Sequence, residues 1–304
     1  MRRVFGLGET VLDIIFKDEQ PISAKAGGSV LNALISLARM GHECYFISEL
    51  GNDKVGDIIL NFIKKNNINT TYIQQYQQGQ SALAMAFLNE NNDAEYDFYK
   101  NYPQTRLNNP LPDFTEDDIL LFGSSYAISP AIRKQVVNIV EHANSKGTLI
   151  IYDPNFRKKH DENHELYKQY LHENFNTADI IRGSDEDFKN IFDTNSSNQV
   201  YLNLKEACGN LIYTANAQGI DLQTAQTCKH YDVPQIYPVS TIGAGDNFNA
   251  GVIHGILEKS ICKNDLNNLN EDVWDYLIKY GIEFSKEVCN SFDNYITVGF
   301  TSTP

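Results

Sequence analysis

Apolar positions along this chain follow two rhythms, and their alternation predicts the architecture. Short, nearly continuous apolar runs at 4–8, 44–48, 119–122, 148–152, 179–182 and 211–214 read as buried strands. Between them, apolar residues at i, i+3 and i+4 mark helices. The clearest covers 30–40, with Leu31, Leu34, Ile35 and Ala38 on one face and Gly41 past its end. Others are expected at 55–63, at 130–144 behind Pro130, and at 271–288, with short strands near 219–223 and 228–233. Strand–helix–strand order predicts an α/β fold with a mostly parallel sheet and right-handed crossovers. The rhythm breaks between 70 and 103, where strand-like pieces (71–73, 82–88, 95–100) and a turn at 89–93 carry no helix. A β excursion within an α/β chain predicts a lid or a subunit contact. Its aromatic residues suit stacking on a ligand ring, but packing on a neighbouring strand accounts for most of them. Residues 193–199 read as a polar loop, and no internal repeat is visible.

Four interruptions of this pattern carry chemistry. Asp13 stands inside the apolar run 11–16, where a charge is costly unless it binds something. Gly27-Gly28 precede the first helix, and Asn32 falls in its first turn, in line with Ser36 and Arg39. A solvated stripe is the plain reading of that line; Asp13 nearby in the sequence favours a ligand. Asp153-Pro154-Asn155-Phe156-Arg157 follows the strand at 148–152, at the carboxyl end where open α/β sheets bind ligands. Finally, Ser240-Thr241-Ile242-Gly243-Ala244-Gly245-Asp246 runs into an apolar segment. If a helix starts near Ala244, its free N–H groups and positive dipole end form an anion site. Asp246 beside that site suits a general base, or equally a simple complement to the dipole.

Composition narrows the partners. Of 304 residues, 25 are Lys or Arg and 39 are Asp or Glu, for a net charge of −14. Neither nucleic acid nor an anionic membrane surface attracts such a chain. No apolar run approaches the roughly 20 residues that span a bilayer, and no leader pattern follows Met1. Five scattered cysteines without a CxxC pair suit reduced thiols and a cytoplasmic location. His160 and His164 stand at i, i+4 in a polar stretch, better read as a solvated loop or helix start than as a metal pair.

Taken in order, Gly27-Gly28-Ser29-Val30-Leu31-Asn32, then Leu50-Gly51-Asn52-Asp53, then Asp-Pro-Asn-x-Arg at 153–157, then Gly243-Ala244-Gly245-Asp246, resemble the ribokinase-like (PfkB) carbohydrate kinase family. The likeness runs over nearly the whole chain, and residues 288–295 resemble a fructokinase-type bacterial branch. The resemblance implies one kinase domain over 1–304, three-layered, with a small β-lid formed by about 12–26 and 70–103. It implies Asp246 as catalytic base, with Gly243, Ala244 and Gly245 holding charge on the transferred phosphoryl group. Asp13, Gly28, Asn32 and Arg157 would contact the acceptor, although Arg157 equally suits a structural ion pair. Thr214, Gly219, Ser184 and Asn294 would meet the nucleotide, and Asp187 would act on Mg²⁺ through water. ATP and Mg²⁺ are the implied cofactors, whereas Ser240, where this signature commonly has Asp, weighs against K⁺. No Walker A sequence occurs. The implied reaction is phosphorylation of a primary hydroxyl, fructose first, with another sugar, a sugar acid such as ketodeoxygluconate, or a nucleoside as alternatives. A non-catalytic sugar or nucleotide binder is the reading from another class. A homodimer through the lid is also expected, because the apolar run 82–88 seeks a partner.

Overall fold

The computed structural model, which describes residues 2–89, 94–156 and 164–302, folds the apolar runs into two sheets. The strands are, in chain order, β1 (Arg3–Leu7), β2 (Val11–Lys17), β3 (Gln20–Gly27), β4 (Glu43–Gly51), β5 (Ile73–Tyr76), β6 (Gln80–Leu88) and β7 (Ala94–Asn101). They continue as β8 (Ile119–Gly123), β9 (Leu149–Asp153), β10 (Ile180–Ser184), β11 (Leu211–Thr214), β12 (Ile220–Gln223) and β13 (Cys228–Tyr231). The helices are α1 (Ser29–Arg39), α2 (Lys54–Lys65), α3 (Ser124–Ala127), α4 (Arg133–Ser145) and α5 (His164–Thr177). After them come α6 (Asp185–Phe192), α7 (Ser197–Leu204), α8 (Ala244–Glu258) and α9 (Glu271–Cys289).

The large sheet has the order β13-β12-β11-β10-β9-β8-β1-β4-β5. It is parallel from β11 to β5, with β12 and β13 antiparallel at one edge. β8, β9 and β10 are buried along their whole length, which is why they read as continuous rather than alternating apolar runs. One cluster, including Val4, Leu34, Phe46, Ile253 and Phe284, joins α1, α8 and α9 to the sheet. A second, including Phe5, Phe122, Tyr152 and Phe188, joins α4 to α7. The sequence order reverses between β1 and β8, so the crevice at their carboxyl ends is a switch point of the kind that binds ligands.

β2, β3, β6 and β7 form the small sheet, in the order β3-β2-β6-β7. Two sequence expectations change here. Ile73–Tyr76 pairs in parallel with β4 at the edge of the large sheet, and not with the strands of the small sheet. The run 82–88 is not an edge either: β6 lies between β2 and β7. Its alternation instead separates two faces. Ala82, Ala84 and Ala86 are buried on the face that carries Asp13, while Leu83, Met85 and Phe87 point the other way, with Phe87 stacked on Phe16 at 5.1 Å between ring centroids. Helices α5 and α6 and the start of α7 at Ser197 lie where the polar composition gave no clear periodic signal, and the 193–199 loop ends in that helix.

Candidate active site

Three residues far apart in the chain meet at one end of α8. Asn32 comes from α1, Asp13 from β2 and Asp246 from the first turn of α8. Asn32 donates through Nδ2 to Asp246 Oδ2 at 2.9 Å. A carboxylate offers no proton, so the Asn32 amide nitrogen must face Asp246 and its Oδ1 must face away. That Oδ1 is buried without a hydrogen-bond partner, which leaves an acceptor waiting for a donor. Asn32 and Ser36 do not form a solvated stripe: both are buried, because α8 packs across them.

Asp13 lies against Gly27, where a Cβ would fall 2.0 Å from its Oδ2. Burial, and then the nearby Asp246, push the Asp13 carboxyl up to about 7. Its cross-strand neighbour Lys25 does not neutralise it, since Lys25 Nζ reaches Asp293 at 2.9 Å and the Phe292 carbonyl at 2.8 Å. Gly28, at φ 131°, caps α1 so closely to the β1–β2 connection that a Cβ there would fall 2.3 Å from the Glu9 carbonyl. On Asp13's face of the small sheet, Tyr96 and Phe98 stack at 5.9 Å opposite Ala86 and Ala84. Beyond Glu9, a cavity of about 280 Å³ opens at the switch point, lined by Lys100, Tyr102, Arg106 and Tyr126 among others. Lys100 is 2.7 Å from Glu9, and Arg106 is ion-paired with buried Glu49, so both cations already face carboxylates.

The anion turn forms as the glycines suggest. Gly243 takes φ 81° and precedes α8, whose N-terminus has no side-chain cap. Asn247 locks the turn by donating to the carbonyls of Gly243 (2.7 Å) and Asn294 (2.8 Å). Ala244 N–H donates inward to Thr241 at 3.2 Å.

The nucleotide-side residues are engaged within the protein. Ser184 caps α6 in a reciprocal box with Asp187, which returns Oδ2 to the Ser184 N–H (2.8 Å) and hydroxyl (2.6 Å). Asp187 is completely buried in this arrangement. Thr214 accepts from Arg182 at 2.7 Å. Gly219, at φ 103°, closes the β11–β12 hairpin behind Asn216, which takes φ 47°. The Asn294 backbone packs on Gly243. Arg157 and His160 fall outside the described residues, as does the side chain of His164. Among the described residues no group of three His, Cys, Asp or Glu side chains is placed to hold a metal ion directly.

Sequence reasoning passed over Arg182. It lies on β10 and donates to Asp153 (3.0 Å) and Thr214 (2.7 Å), while Asn249 donates to the same Asp153 oxygen at 2.6 Å. Burial raises the Asp153 carboxyl despite Arg182. A charged residue inside the apolar strand Ile180–Ser184 was the available signal, the same one that flagged Asp13.

Known proteins resemble this arrangement over most of the chain. A probable fructokinase-2 of Arabidopsis thaliana is 25% identical over 272 residues, covering 84% of this chain and 82% of that protein. An Escherichia coli fructokinase is 22% identical over 259 residues, covering 84% of each. In fold, the chain is similar to a Vibrio cholerae fructokinase solved with fructose, ADP and calcium ion (TM-score 0.83, 17% identity, 97% and 94% of the two chains). It is also similar to a Salmonella enterica aminoimidazole riboside kinase (TM-score 0.81, 20% identity, 98% and 97%). The pattern of the pfkB family carbohydrate kinases matches residues 1–273. This chain therefore belongs to the pfkB family of carbohydrate kinases.

Proposed function

We propose that the protein transfers the γ-phosphoryl group of ATP to the primary hydroxyl of fructose, forming fructose 6-phosphate and ADP. The observation that carries this reading is the meeting of Asp13, Asn32 and Asp246, with an unpartnered Asn32 Oδ1 facing away from Asp246. A polyol supplies the donor that this oxygen lacks, and Asp13 accepts a second hydroxyl. Asp246, held by the Asn32 amide, takes the proton as the acceptor oxygen bonds to the γ-phosphorus and the bond to the β-phosphate bridge oxygen breaks. Gly243, Ala244 and Gly245 at the uncapped start of α8 face the charge on the transferring group. Mg²⁺, when it accompanies the nucleotide, neutralises phosphate charge; no step here is assigned to an ion held by the protein.

Two further observations support a neutral sugar over a sugar acid. Lys100 and Arg106, the cations lining the cavity at the switch point, are already paired with Glu9 and Glu49. Asp13 and Asp246 add negative charge beside the acceptor, which disfavours a carboxylate there. The same reading places the enzyme in the cytoplasm, with its nucleotide. It also has a second copy covering the outer lid face, where Phe87 and Ile22 are exposed.

ADP release coupled to a colorimetric readout, run across fructose, other hexoses, ribose, ketodeoxygluconate and nucleosides, tests the assignment. Fructose should give the highest kcat/KM. A higher value with any other acceptor would replace it, and ligand binding without turnover on all of them would favour the non-catalytic reading. A monomeric mass in solution at micromolar concentration would reject the dimer.

A further inference from the structure

Arg182 is placed where the helix dipole by itself disfavours a cation. A cation is disfavoured at the positive end of a helix, yet the two amino groups of this guanidinium lie against the first turn of α8. A Cβ on Gly245 would fall 2.6, 2.9 and 3.1 Å from its Nη1, Nη2 and Cζ atoms. Phe248, one turn along α8, sits with its ring centroid 5.7 Å from Cζ. The side chain is only 8% exposed. Its two amino groups bridge neighbouring strands, to Asp153 on β9 and Thr214 on β11, while Nε–H is buried with no acceptor. One carboxylate is thus shared between Arg182 and Asn249, and the uncapped turn above adds further positive potential. Such a placement becomes favourable when an anion occupies the turn.

We propose that Arg182 is the fixed positive charge of the phosphoryl site, a positioning residue that supports the 243–245 turn from beneath and favours phosphate above it. The inference rests on the kinase reading. It assigns to β10 a role in nucleotide affinity that the signature residues do not carry alone.

The test is calorimetric titration of the whole protein with the Mg²⁺ complex of a non-hydrolysable ATP analogue (MgAMP-PNP), beside steady-state kinetics and thermal melting, for Arg182→Met, Arg182→Lys and the double variant Asp153→Asn/Arg182→Met. Arg182→Met should weaken MgAMP-PNP binding and lower kcat/KM for ATP on the order of ten- to hundredfold, with the acceptor KM unchanged. That variant leaves Asp153 buried without its Arg182 partner, and so risks its fold. The double variant removes both charges, should melt like wild type, and should still bind MgAMP-PNP weakly. Arg182→Lys keeps the charge and should recover part of the affinity. A folded double variant with wild-type affinity, or a folded Lys variant with no recovery, would overturn the proposal. Wild-type protein that binds no MgAMP-PNP would sink the kinase reading and this inference with it, whereas wild-type binding unaltered in Arg182→Met sinks this inference alone.

Discussion

The two halves of the site differ in how they handle most of their polar groups. On the acceptor side, Asn32 Oδ1 is buried and unpartnered, and Asp13 is an acid kept near neutrality's edge by burial and by Asp246. On the nucleotide side, Ser184 and the Oδ2 of Asp187 bond each other in a capping box and Thr214 accepts from Arg182, while the Arg182 Nε–H stays buried without an acceptor. Unsatisfied buried groups cost about 1–3 kcal/mol each, so they persist where a ligand completes them. Satisfied groups hold backbone in place. The acceptor half is therefore a preformed set of contacts, while much of the nucleotide half named by its signature is the frame around the anion turn.

The strongest way to break this comparison is Asp246→Asn. Loss of the base should cut turnover on the order of 10²–10⁴ with the fold retained, since Asn can still meet Asn32. Near-normal turnover would remove Asp246 from the chemistry. Asp13→Asn comes next. In wild type the acceptor KM should fall as pH rises through about 7, because Asp13 ionises there and then accepts hydroxyl bonds strongly. In Asp13→Asn that dependence should vanish and the KM should rise on the order of tenfold or more.

The same substitution tests stability with a definite sign. Because Asp13 titrates higher in the folded chain than in the unfolded one, its contribution to stability is present at low pH and is lost as pH rises toward about 7. Ligand-free Asp13→Asn should thus be more stable than wild type at pH 8, on the order of 1–2 kcal/mol. Equal melting of the two proteins at pH 8 would show that Asp13 is not held up by its surroundings. Ser184→Ala probes the frame: about 1 kcal/mol of stability should go with the cap, leaving the KM for ATP within about twofold. A large KM effect with unchanged melting would make Ser184 a ligand contact instead. The smallest effect belongs to Asn216→Gly, which relieves a left-handed residue and should change stability by less than about 1 kcal/mol.

The parallel core was legible because strands buried on both faces, such as Ile119–Gly123 and Leu149–Asp153, need unbroken apolar runs. The uncapped turn at Gly243 was legible too, since two glycines before an apolar helix leave few other conformations. Polar surface helices were not: α5 and α7 have little amphipathic contrast, and only their docking on the sheet defines them. Sheet membership was not legible either: Ile73–Tyr76 and Gln80–Leu88 both read as strands, and only their partners assign them to different sheets.

What the sequence by itself determined is the set of groups whose cost is visible locally. Asp13 in an apolar run and glycines before a helix declare themselves, because a charge without a partner or a positive φ needs a reason. Only the tertiary structure decided which polar residues are spent within the protein and which are left open. Ser184 and Asp187 bond each other across three residues, while Asn32 and Asp246 bond across 214. Arg182 gained its place under α8 only when β10 was laid between Asp153 and Thr214. Hydrogen-bond satisfaction depends on what surrounds a group in space, and that is settled by packing.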